Sequence, residues 1–166
     1  MTSPKLVAGD TMNFWIKGKP QELRKTLEGM DVLVINDSEA RMLSGEYHLP
    51  AAARRIHEMG PGTLVVKRGE HGALLFRAGR VFSVPGFPLE QVCDPTGAGD
   101  SFAGGFLGAL AEAGSVEDGA LRRAMVYGSV LGSFTVEEFG VERLRGLTRA
   151  EIERRFREFR ALTSFH

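Results

Sequence analysis

The stretch DVLVIN, residues 31–36, is a continuous apolar run rather than an alternating one. Strands of that kind are buried on both faces, as they are in parallel sheets covered by helices. TLVVKRG (63–69) reads as a second such strand and KLVA (5–8) as a shorter one. Helical segments separate them. KPQELRKTLEGMD (19–31) has Pro20 for its first turn and Gly29 for its end. SEARMLSG (38–45) and PAAARRIHEMG (50–60) follow DVLVIN. GALLFRAGRVFSV (72–84) predicts a hairpin with Ala78-Gly79 at its tip. Further helices are expected over 100–113, 116–133 and 148–160, the last opening on Thr148 and Glu151 at capping-box spacing. The alternation predicts an α/β domain with a mainly parallel sheet and one antiparallel hairpin.

The 166 residues suit one domain, 1–166, and are few for two. Lys+Arg and Asp+Glu are each 21, so no net charge draws the chain to nucleic acid or to an anionic membrane. Any phosphate binding must be local. Cys93 is the only cysteine, which excludes an internal disulfide. His48, His57, His71 and His166 stand far apart, without the spacing of metal ligands. MTSPKLVAGD lacks the apolar core of a signal peptide, and the run 102–111 is too short to cross a bilayer. A cytoplasmic protein is the expectation.

Ligands of parallel α/β sheets lie beyond the carboxyl ends of the strands. That directs attention to GDTMN (9–13), NDSE (36–39), KRGEHG (67–72) and DPTGAGD (94–100). In the last, Gly97 and Gly99 let an anion approach the backbone closely. A helix starting here leaves the N–H groups of Ala98, Gly99 and Asp100 without intrahelical partners, at the positive end of its dipole. The loop is neither a Walker A sequence nor a dinucleotide fingerprint, because no GxxxxGK[ST] occurs and Phe102 stands where the last Gly should be. Two readings of Asp100 compete. It is a helix N-cap, or it is a base that receives the proton of an alcohol attacking the phosphate. A helix N-terminus keeps such a carboxylate ionised and weakly basic, which suits the loose transition state of phosphoryl transfer.

DPTGAGDSFAGGF resembles the C-terminal signature of the ribokinase-like (PfkB) carbohydrate kinases. The resemblance implies a ribokinase-like three-layer α/β/α sandwich and an ATP-dependent kinase acting on a sugar or nucleoside hydroxyl. It implies that Asp100 is the catalytic base and that the backbone of Gly97, Ala98 and Gly99 is the anion hole. Asp94 and Thr96 match positions that in ribokinase hold a monovalent cation (K+), with Pro95 replacing the commoner Thr between them. Asn36 and Glu39 resemble the N-x-x-E motif that organises Mg2+ and the phosphates; alone, they read first as a capped helix start, with Asn or Ser as the cap. Gly69 and Gly72 resemble the G-x-x-G nucleotide loop, though by composition they form a turn. Lys67 would add charge near the phosphates or stand as a solvated lysine. Tyr127 falls where such enzymes place an adenine neighbour, and ordinary helix packing accounts for it as well.

In GDTMNFW the spacing from Asp10 to Asn13 is one residue longer than the family's D-x-N, so neither residue is taken as catalytic. A core role is expected for Phe14 and Trp15, with pocket lining the alternative. Gly104 and Gly108 form a GxxxG read as close helix packing. The resemblance runs from about Lys5 to Leu144 and corresponds to the C-terminal half of a family member. The N-terminal half and lid, with the sugar-binding residues, are expected to be missing. A sheet cut through its middle would expose an edge and apolar faces. Homo-oligomerisation or association with a missing N-terminal half is therefore expected. The competing function is a non-catalytic nucleotide-binding remnant acting as an interaction module.

Overall fold

The computed structural model describes residues 4–164. Met1 and His166 lie outside the described residues. The chain divides into two compact units. One runs to Gly69 and resumes over Leu74–Ser83; the other comprises Glu70–Ala73 and the chain from Val84 onward.

The first unit holds most of a five-stranded mixed sheet. Its strands are β1 (Ala8–Gly9), β2 (Val32–Asn36), β3 (Thr63–Lys67), β4 (Ala73–Arg77) and β5 (Arg80–Val84), in the order β1-β2-β3-β4-β5. β1 pairs parallel with β2, and β2 pairs parallel with β3 in a register that sets Asn36 beside Lys67. β4 and β5 are joined by Ala78 and Gly79 alone, a length that only an antiparallel pair permits. Both turn residues have positive φ, 48° and 74°. Val32 to Ile35 are all buried, as the continuous apolar run requires.

Helices α1 (Asn13–Gly18), α2 (Pro20–Leu27), α3 (Asp37–Ser44) and α4 (Leu49–His57) complete this unit. Its core joins Leu23 and Leu27 of α2, Leu33 and Ile35 of β2, Ala53 and Ile56 of α4, and Leu64 and Val66 of β3. Pro20 opens α2 as expected, and α3 ends on Gly45 in the left-handed conformation, φ 73°. The strand expected over 5–8 is reduced to Ala8–Gly9. Val7 gives its N–H to the Asp31 carboxylate (2.7 Å), so a side chain takes the donor that a ladder would use. α1 was not foreseen, and it overturns the core role of its aromatics. This short helix buries only Ile16, leaving Phe14 62% and Trp15 47% exposed.

The second unit is helical: α5 (Ala98–Ala113), α6 (Asp118–Thr135), α7 (Glu142–Arg145) and α8 (Arg149–Thr163). α5 and α6 approach through glycines, but not through the predicted pair. A Cβ on Gly104 or Gly108 would meet nothing within 4 Å. A Cβ on Gly105 would lie 2.8 Å from the Tyr127 carbonyl, and one on Gly128 2.9 Å from the Phe102 carbonyl. The stripe that lets the helices close is one residue further round α5.

α8 opens on the expected capping box. Thr148 accepts from the Glu151 N–H, and Glu151 accepts from the Thr148 N–H (2.9 Å). Arg155 then ties α8 to the end of α6. Its guanidinium carbon lies 3.7 Å from the Phe134 ring centre and its Nη1 2.6 Å from Glu137. Arg143 stacks on Phe134 at 4.8 Å and shares Glu137. One carboxylate thus serves two cations that flank one ring.

Candidate active site

In the first unit, the carboxyl ends of three parallel strands gather the polar residues. β2 ends at Asn36, whose side chain caps α3. Its Oδ1 accepts the Glu39 N–H (2.8 Å), and Glu39 Oε2 accepts the Asn36 N–H (2.9 Å). This is the capped helix start that the sequence allowed, and it holds both motif residues at the strand end. Glu39 is 8% exposed. Burial is the main cause that raises its pKa; the Asn36 N–H and Lys67 oppose the rise, and Asp10 adds to it.

Lys67 ends β3, and its ammonium meets Asp10 Oδ2 at 3.0 Å. Asp10 follows β1 and also accepts the Thr11 N–H through Oδ1 (2.7 Å). The Thr11 hydroxyl is buried and has no partner among the described residues. The solvated reading of Lys67 fails, because its side chain is only 16% exposed. The Asp10–Asn13 spacing alone gives Asp10 no catalytic role. What the sequence could not show is that α1 begins three residues later and leaves Asp10 at the strand end.

The two glycines after β3 do different work. Gly69 has φ 57° and open space where a Cβ would stand. A Cβ on Gly72 would fall 2.1 Å from the Val84 carbonyl, and one on Gly86 2.0 Å from the Glu70 carbonyl. Two backbone segments cross there, so Gly72 is required by the chain itself. No local signal in PGFP marks Gly86, because the segment it crosses, at Glu70, lies sixteen residues earlier.

In the second unit, the approach to α5 is laced to the end of α6. The Cys93 and Asp94 N–H groups donate to the Val136 carbonyl (2.8 and 3.4 Å). Asp94 Oδ1 accepts the Thr96 N–H at 2.9 Å, and Oδ2 accepts from Gly140 at 3.5 Å. The Thr96 hydrogen bonds chiefly, with Gly140 behind them, hold the Asp94 carboxyl below its ordinary pKa. Asp94 and Thr96 shape the loop together.

Gly97 is the N-cap of α5, in the left-handed region at φ 79°. Asp100 therefore sits at the third helical position, exposed, and the N-cap reading of it does not hold. The expected set of three open amides is also corrected. The Ala98 N–H closes a turn onto the Pro95 carbonyl (3.2 Å). Among the described residues, the Gly99 and Asp100 N–H groups have no acceptor. The mouth of a sixteen-residue helix thus offers two free donors, its dipole and an exposed carboxylate.

Tyr127 is committed elsewhere. Its ring is 6% exposed and packs on Phe156 at 4.6 Å between centres. Its hydroxyl donates to Glu153 (2.8 Å) and accepts from Arg123 (2.9 Å). These contacts match the helix-packing alternative, with Tyr127 lying between α6 and α8.

No group of three or more His, Cys, Asp or Glu side chains that could cage a metal occurs among the described residues. Asn36 and Glu39 still fit Mg2+, which keeps most of its waters and needs few protein oxygens. No helix among the described residues is long and apolar enough to cross a membrane.

Residues 8–144 match the pfkB family of carbohydrate kinases, and the chain belongs to that family. It is 36% identical over 98 residues to a cytidine kinase of Thermococcus kodakarensis, covering 58% of this chain and 35% of that one. The crystal structure of aminoimidazole riboside kinase from Salmonella enterica, complexed with aminoimidazole riboside and an ATP analog, superposes with a TM-score of 0.78 and 25% identity. It covers 91% of this chain and 52% of that one. Ribokinase from Thermotoga maritima gives 0.72 and 26%, covering 92% and 49%. The fold is the ribokinase-like α/β fold, as the sequence implied. The chain spans about a third to a half of the length of these relatives.

Proposed function

We propose that this chain carries the ATP-using, phosphoryl-transferring machinery of a carbohydrate kinase whose acceptor is a sugar or nucleoside hydroxyl. The observation that carries the reading is the opening of α5, where the unpaired Gly99 and Asp100 amides accompany an exposed Asp100 carboxylate. The amides, with the flexible backbone of Gly97, hold the γ-phosphoryl oxygens. Asp100 accepts the proton of the attacking hydroxyl as its oxygen bonds to the γ-phosphorus, and the bond to the departing ADP oxygen breaks. In the sheet unit, Asn36 and Glu39 would hold Mg2+ through its water shell, which supplies charge neutralisation for the polyphosphate. Lys67 meets phosphate oxygens, and the open Gly69 lets nucleotide lie on backbone. The ionised Asp94 and Thr96 offer oxygens suited to a monovalent cation. The work belongs in the cytoplasm, where ATP is made.

A second reading, a nucleotide-binding module without turnover, draws on the exposed Met12, Phe14 and Trp15, a surface suited to a protein contact. ADP release from ATP and Mg2+ across a panel of sugars and nucleosides separates the two. Acceptor-dependent release supports the kinase, and saturable nucleotide binding with no release supports the module.

A further inference from the structure

Lys67 and Asp10 form an ion pair between residues 57 apart in sequence, at the ends of two strands that flank β2. The lysine is largely buried and the aspartate half-exposed, at 16% and 38%. Surface pairs of this type are usually idle, because two mobile side chains must be ordered to make them. Here burial and β3 hold the lysine stem, and Asp10 is itself fixed by the Thr11 N–H. An ammonium has three donors, and Asp10 takes one. The other two remain for an anion, on a side chain already ordered before that anion arrives.

We infer that Asp10 is a positioning residue that holds the Lys67 ammonium at the strand ends for the phosphates of the nucleotide. The inference rests on the kinase reading above, which makes Lys67 a phosphate contact. Asp10 acts through Lys67 and touches no reacting atom.

A binding experiment tests this without requiring turnover. Mg-ATP and adenosine are titrated into the full chain, Asp10→Ala, Asp10→Asn, Lys67→Ala and the double variant, with thermal unfolding of each. Asp10→Ala is expected to weaken ATP binding about tenfold while leaving adenosine unchanged. Asp10→Asn keeps an oxygen that can accept the lysine N–H, so it loses less and guards against an unfolded alanine variant. In the Lys67→Ala background, Asp10→Ala should cost nothing further. An equal loss in both backgrounds, or loss of adenosine together with ATP, marks a merely structural residue and overturns the inference. ATP binding unchanged in Asp10→Ala overturns it alone. No ATP binding by the unaltered chain overturns the kinase reading and this inference with it.

Discussion

Gly97, Gly99 and Asp100 show how far single residues can be read. Their order in the chain announced a glycine turn before a helix, and the turn is there. Which amides stay open was not legible, because that depends on the Pro95 carbonyl folding back onto Ala98. The contacts of Asp10 and Tyr127 were not legible for one reason: the partners of each, Lys67 and Glu153, lie far away in sequence. Gly97→Ala is predicted to cost roughly 1–2 kcal/mol by its positive φ alone, since no atom obstructs the added methyl. Chemical denaturation measures this. Glu151 gives a pH prediction. Thr148 chiefly, then Arg143, lowers its carboxyl from 4.5 to about 2. A depressed acid stabilises the fold fully above 4.5, and that contribution fades as pH falls toward 2. Stability measured from pH 6 to 2 should fall less steeply in Glu151→Gln.

The helices and strands were legible where local chemistry decides them. Pro20, Gly45, the Asn36 and Thr148 boxes, and the Ala78-Gly79 tip each act within a few residues. α1 was missed because six residues carry too little periodicity to register. The glycine face of α5 was misplaced because GxxxG marks spacing and says nothing about which side meets α6. The structure makes the distinction testable. Gly104→Ala and Gly108→Ala add a methyl in open space and should each stabilise by roughly 0.5–1 kcal/mol. Gly105→Ala and Gly128→Ala drive a methyl onto backbone carbonyls and should each cost about 1–3 kcal/mol. Thermal unfolding of the four variants reads both signs.

At the scale of the molecule, the family and fold were visible in one signature and in the strand–helix alternation. Division into two compact units was not, since no linker or change of composition marks it. β1 is an outer strand of only two residues, and Met12, Phe14 and Trp15 beyond it are exposed. An open edge beside apolar side chains favours association. Sedimentation at micromolar concentration is expected to show a species larger than the monomer, and Trp15→Lys should shift it toward monomer. A clean monomer at that concentration would remove the association. The kinase reading itself stands on Asp100. The most direct measurement is acceptor-dependent ADP release by Asp100→Asn beside the unaltered chain, with ATP affinity followed in parallel. The account predicts release lowered by about 10²–10⁴-fold with ATP binding nearly unchanged. Release that survives the substitution would contradict it.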